Sequence, residues 1–234
     1  MRIIIFASLV VTLAGAIGAQ NASKLDDPIT GECRIDNPRF LNPCNSGMAV
    51  DQLARKAEVL VGFENMPNCP PSARSLKAGA AGETLTGMSA RQAFDHLMTL
   101  MPTFSWKDMN GVVVVRPKAA WEDPRDPLNL STGAFEAANE RVDDVLHTVL
   151  HAVKPSMFIP HEDVPRPDGP ITRPVAVAFS GGMMLDALNG VLRAHGGLEW
   201  QLGYPGNSAV ITLSMLKFPG DGVIAPVAVP TPHR

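Results

Sequence analysis

The chain has no basic tract. Its 20 lysines and arginines face 23 aspartates and glutamates, for a formal net charge of −3 and a pI near 6.1. It therefore lacks the electrostatic footprint that a nucleic-acid-binding surface needs. Past its first residues it has no apolar run approaching the ~20 residues of a membrane-spanning helix. Three cysteines, Cys33, Cys44 and Cys69, include no CxxC pair, so zinc binding is weakly signalled. His147 and His151 are four apart, but no Glu follows the first of them as in a zinc-protease HExxH. What is abundant is apolar residues, at 45%, and proline, at 21 residues often in clusters. The first points to a packed core and the second to long punctuating loops.

The start of the chain reads as an export signal. Arg2 supplies the positive charge, Ile3 to Leu13 is apolar apart from Ser8 and Thr12, and Ile17-Gly18-Ala19 offers a cleavage site before Gln20. Ala14-Gly15-Ala16 is a second choice. A membrane anchor is disfavoured because Gln20, Asn21 and Lys24 end the run too early. A lipoprotein is disfavoured because the first cysteine, Cys33, lies far from the cleavage site. Residues 1–19 are thus expected to be a signal peptide, and the mature protein an exported one of the periplasm or the medium.

The chain repeats itself. Gly87, Ala93, Phe94, Met98 and Trp106 align without a gap on Gly181, Ala187, Leu188, Leu192 and Trp200, a constant offset of 94 residues. Two copies indicate a duplicated domain rather than a solenoid. In the first copy Ala93, Phe94, Leu97, Met98 and Met101 form a helical stripe, and Ser89 with Gln92 makes a capping box. Pro102 closes that helix. Phe104-Ser105-Trp106 alternates as a strand, Asn110-Gly111 is a hairpin turn, and Val112 to Val115 return. In the second copy the stripe is Met184, Ala187, Leu188, Val191 and Leu192, ended by Gly196-Gly197 and followed by strands at 198–202 and 209–213. Upstream, helices through Val50, Leu53, Ala54 and Ala57 and through Val142, Val145, Leu146, Val149, Leu150 and Val153 precede strands at 59–64 and 157–159. Proline-rich loops at 65–81 and 160–173 return as strands at 84–86 and 175–179.

This order of elements, with the entries Leu85-Thr86-Gly87-Met88 and Ala178-Phe179-Ser180-Gly181 and the helices Ala93-Phe94-Asp95-His96-Leu97 and Ala187-Leu188-Asn189-Gly190-Val191, resembles the short N-terminal domain of secretins and TonB-dependent receptors. The resemblance covers residues 39–117 and 128–216. It implies an α+β fold of two tandem modules, each about β-α-β-β-α-β-β with two helices on small mixed sheets. It also implies a non-enzymatic role in protein binding or assembly in the cell envelope. Residues 118–127 then form a linker and 217–234 a loose proline-rich tail.

Chemistry is sparsely signalled. A metal-dependent hydrolase would draw on His147, His151, His161 and Glu162. The two helical histidines fall beside the apolar stripe with Asp143 and Lys154, which reads as a solvent face. No catalytic, cofactor or metal residue is therefore assigned. Gly181-Gly182 lacks the remaining glycine and Lys-Ser/Thr of a phosphate loop, and its counterpart Gly87 occupies the same corner, so backbone geometry explains it. Trp106 and Trp200 read as core aromatics facing a helix. Asp95 and His96 are adjacent on a helix and point about 100° apart, a poor acid–base geometry. Met98, Met101, Met183 and Met184 lie on the stripes and need no copper. Among the cysteines, the strand at 59–64 runs back along the preceding helix and would bring Cys69 near Cys44. A Cys44–Cys69 disulfide is expected, closing a loop of about 25 residues for roughly 3 kcal/mol, with Cys33 left as a thiol.

Overall fold

The computed structural model describes residues 24–35, 46–67, 82–154, 173–205 and 208–216. The fold is α+β. In chain order the elements are β1 (Arg34–Ile35), α1 (Gly47–Ala57), β2 (Leu60–Glu64), β3 (Glu83–Thr84), α2 (Ala90–Leu100), β4 (Phe104–Asp108), β5 (Val112–Pro117), β6 (Ser131–Thr132), β7 (Phe135–Arg141), α3 (Val142–Val153), β8 (Pro174–Phe179), β9 (Gly182–Met183), α4 (Met184–His195), β10 (Leu198–Gly203) and β11 (Val210–Met215). The signal peptide, the tail at 217–234, the strand expected at 157–159, most of both proline-rich loops, and Cys44, Cys69, His161 and Glu162 lie outside the described residues.

Local chemistry builds the elements as the pattern suggests. Ser89 accepts from the Gln92 amide, and the Gln92 side chain accepts from the Ser89 amide, which completes the capping box of α2. Asn110 and Gly111 take positive φ, 57° and 86°, as a two-residue hairpin turn between β4 and β5 requires. α4 starts without a side-chain cap and ends on Gly196 at φ 79°. Gly87 and Gly181, 94 residues apart, sit at φ 83° and 97° in the turn before each of these helices, so backbone freedom is what both corners use.

Three small two-stranded antiparallel sheets, β1–β3, β6–β9 and β7–β8, flank a five-stranded sheet of order β11-β10-β2-β5-β4. Both hairpins are antiparallel, whereas β2 lies parallel to β5 on one side and to β10 on the other. The two halves of the chain thus share one sheet, with β2 at its centre. The register sets its two faces. Trp106, Val115, Phe63 and Gln201 lie abreast on one face, and Lys107, Val114, Gly62 and Trp200 on the other. On the first, Phe63 stacks on Phe104 at 5.7 Å and Trp106 meets Phe94 of α2 at 5.6 Å. On the second, Trp200 bonds to Asn189 of α4. Covered on both faces, β2 and the run Val112 to Val115 are buried throughout, which is why they read as continuous rather than alternating apolar segments.

Several side chains depart from expectation. Asp143, expected on the solvent face of α3, is buried because Arg141 folds over it with bonds of 3.0 and 2.6 Å. Burial works against its charge, but the Arg141 guanidinium prevails and holds the carboxyl below its ordinary value. Met183 is exposed, as it precedes α4 in the N-cap position rather than joining its stripe, while Met184 and Met101 are buried. Trp200 is fully buried but Trp106 only half so. The linker at 118–127 is folded: Lys118–Trp121 and the following Pro127–Asn129 are 3-10 turns, and Asp126 between them is buried.

Candidate functional site

The parallel seam between β2 and β10 joins the halves, and each of its faces carries a cluster of one arginine with two carboxylates. On the face of α4 and the linker, Arg116 and Glu64 are completely buried. Their elements explain the meeting. Phe63 lies beside Val115, so the next residue of each parallel strand, Glu64 and Arg116, ends its apolar run side by side with an opposite charge. Arg116 donates from Nε to Glu64 at 2.6 Å and from one terminal nitrogen to Asp126 at 2.6 Å, and also reaches Asn129 at 2.9 Å and the Ala120 carbonyl at 3.2 Å. Trp121 covers the guanidinium at 5.0 Å, with Lys107 over the same ring at 4.2 Å. Tyr204, at the end of β10, donates its hydroxyl to the other Glu64 oxygen at 2.6 Å. Strand, linker and second hairpin thus converge on one carboxylate.

On the opposite face, Arg55 of α1 donates to Asp51 at 2.6 Å and to the Met215 carbonyl at 2.6 Å, and reaches Glu199 of β10 at 3.5 Å. Burial pushes the Glu64 carboxyl up to about 7 despite Arg116, and the neighbouring Asp126 adds to the rise. Burial likewise pushes Glu199 up to about 8, with Asp51 raising it further against Arg55. Burial of the glutamate is the main cause in both clusters, and a second carboxylate beside the same arginine adds to it. Burial and Glu64 together keep the Tyr204 phenol protonated.

The other feature is a free strand edge. The Lys118 amide bonds to the Thr103 carbonyl, and Met109 and Val112 exchange bonds, so in β4 Ser105 and Lys107 face β5 and the backbone groups of Trp106 and Asp108 face outward. Their counterparts at the offset of 94, Trp200 and Leu202, face β2, and the Asn65 amide bonds to the Leu202 carbonyl at 2.8 Å. Among the described residues no strand lies beside the outer edge of β4.

Of the histidines expected as alternatives, His147 and His151 lie on α3, and His161 lies outside the described residues. His147 is half-buried and His151 exposed on α3, as their place beside the stripe suggests. Among the described residues no three His, Cys, Asp or Glu side chains are grouped to hold a metal. Asp95 accepts the indole N–H of Trp106 at 2.8 Å and so packs α2 against β4. Cys33 is a buried free thiol whose pKa burial raises. Among the described residues no helix is long and apolar enough to cross a membrane.

The sequence reading missed both arginine clusters. A charge closing an otherwise apolar strand, as Glu64 and Arg116 do, was the available signal, because such a residue must be paired if the strand is central. No protein-family model, curated protein or solved structure matches the chain.

Proposed function

We propose that this is a non-enzymatic protein of the bacterial cell envelope, exported to the periplasm or beyond, that binds another protein by taking a strand onto the outer edge of β4. One observation carries the reading. β10 is the counterpart of β4 in the second half, and its corresponding edge is occupied by β2 in parallel register, Trp200 beside Gly62. An edge of this shape accepts a strand within the molecule, and β4 presents the same outward groups at Trp106 and Asp108. The likeness of each half to the short N-terminal domain of secretins and TonB-dependent receptors supports a protein-contact role, by analogy of fold. The repeated bonds Trp106 to Asp95 and Trp200 to Asn189 support a duplication of one module.

Hydrogen exchange on the complex recovered from envelope extract tests this. Binding should slow exchange at the Trp106 and Asp108 amides, and deletion of residues 160–173 tests whether that loop takes part. A partner that binds while both amides keep their free rates would remove β4 from the interface and end the strand-addition reading. Stoichiometric zinc, lost together with a hydrolytic activity in His147→Ala, would favour a metal-dependent hydrolase instead.

A further inference from the structure

We propose that the strand taken by the outer edge of β4 is residues 223–229 of a second copy of this chain, so that copies join head to tail. The proposal rests on the reading of β4 as a strand-accepting edge and names the donor. Its first support is the pattern Val223-Ile224-Ala225-Pro226-Val227-Ala228-Val229-Pro230, which is uncharged and rich in residues that favour strands. Successive residues of a strand turn their backbone groups to opposite sides. As a strand, this segment puts Pro226 and Pro230 on one side and the N–H groups of Val223, Ala225, Val227 and Val229 on the other. Such a strand bonds along one side only. It suits the border of a sheet and blocks further growth there.

The five-stranded sheet has two borders, β11 and β4. At β11 the Leu216 amide bonds to the Gly197 carbonyl, so Ile211, Leu213 and Met215 turn their backbone groups outward. The Met215 carbonyl is already held by Arg55 at 2.6 Å, and Asp51 and Glu199 hold Arg55 in turn. A tail turning straight back from Leu216 meets that guanidinium first. At β4 no strand among the described residues lies beside the outward groups of Trp106 and Asp108. Antiparallel to β4, the slightly more stable arrangement, the four N–H residues also set their side chains on the face of half-buried Trp106.

Reach and precedent favour a second copy as donor. From β11 to a strand beyond β4 is five strand spacings, about 24 Å. Val223 is seven residues past Leu216, about 23–25 Å of fully extended chain. The turns at Asn110-Gly111 and Glu58-Val59 lie at the same end of the sheet as Leu216 and obstruct the straight path. Pairing from Val223 onward thus has no slack within one copy and no such limit between two. The counterpart edge, on β10, is likewise filled from the other half of the chain. Each copy offers one edge and donates one tail, which makes the contact heterologous.

Sedimentation of the full chain over a concentration series, with hydrogen exchange at each concentration, tests this. Apparent mass should rise with concentration, and exchange at the Trp106 and Asp108 amides should slow in step. Val227→Pro removes an N–H from the bonding side and should weaken association by roughly tenfold, the upper end of what one hydrogen bond contributes. Ala228→Pro adds a proline to the side that already carries Pro226 and Pro230, and should associate as the wild type does. Equal effects of the two variants, or association that leaves both amides at their free rates, would overturn the proposal. So would a chain that stays monomeric, whether those amides are free or are covered by its own tail. A monomer with both amides free leaves β4 open to a strand from a different protein, so this failure is distinct from failure of the β4 reading, which the partner complex decides.

Discussion

Trp106 and Trp200 make the same bond on opposite faces of one sheet. Each donates its indole N–H to the side chain eleven residues earlier on the preceding helix, Asp95 at 2.8 Å and Asn189 at 3.1 Å. The second hairpin enters the sheet turned over, so that α2 covers one face and α4 the other. The consequence is unequal burial, since Trp106 stands near the free edge and Trp200 at the seam.

That inequality predicts unequal costs. Trp200→Ala should destabilise the fold by about 3–5 kcal/mol, the range for a large buried aromatic. Trp106→Ala should cost distinctly less, because half-exposed area returns less on burial. Urea unfolding midpoints of the two variants, read by circular dichroism, check the order. Equal midpoints would show that Trp200 is not packed at the seam.

Gly62 is required by the same packing. A Cβ built on it would overlap the Trp200 ring, whereas one on Gly133 meets nothing within 4 Å. Gly62→Ala should therefore cost about 1–3 kcal/mol through overpacking, and Gly133→Ala little. Trimming Trp200 to Leu in the Gly62→Ala background should recover part of the loss, which a double-mutant cycle measures as coupling.

Much of the secondary structure was legible because it is locally encoded. The Ser89–Gln92 capping box, the Asn110-Gly111 turn and the stripes of α2 and α4 are short-range signals, and the structure keeps each of them. The shared sheet was not legible, because the pairing of Trp200 with Gly62 joins residues far apart in the chain and leaves no periodic trace. The clusters were hidden for the same reason. Arg116 stands in sequence next to Pro117 and a charged linker, and only the parallel register sets it beside Glu64. Asp143 misled because its place on the helical wheel says nothing of Arg141 folding back over it.

Cys33 should behave as a protected thiol. It is buried, and its pKa is raised, so both access and thiolate fraction are low. A thiol reagent should label no Cys33 in the native protein and label it fully in urea. With the expected Cys44–Cys69 bridge intact, denaturation should reveal a single thiol, and non-reducing peptide mapping should recover Cys44 with Cys69. A map showing Cys33 joined to Cys44 would contradict both the buried thiol and the bridge.

Arg116 gives the sharpest test of the buried cluster, because its removal acts differently at different pH. In Arg116→Met the hydrocarbon is nearly kept, but Glu64 and Asp126 lose their common cation. Breaking a buried pair in this way typically costs about 3–5 kcal/mol when the remaining charge must stay ionised. At about pH 8 the wild type holds Glu64 ionised beside Arg116, whereas the variant must keep that charge unpaired or take up a proton, so the larger loss is expected there. At about pH 5 Glu64, whose carboxyl is raised to about 7 even beside Arg116, is protonated and needs no cation. The variant should therefore lose less stability in acid than in base relative to the wild type. Unfolding curves at the two pH values measure the difference. A deficit that did not grow with pH would mean that Arg116 serves through its hydrogen bonds to Ala120 and Asn129 and its packing under Trp121, not as the counter-charge of Glu64.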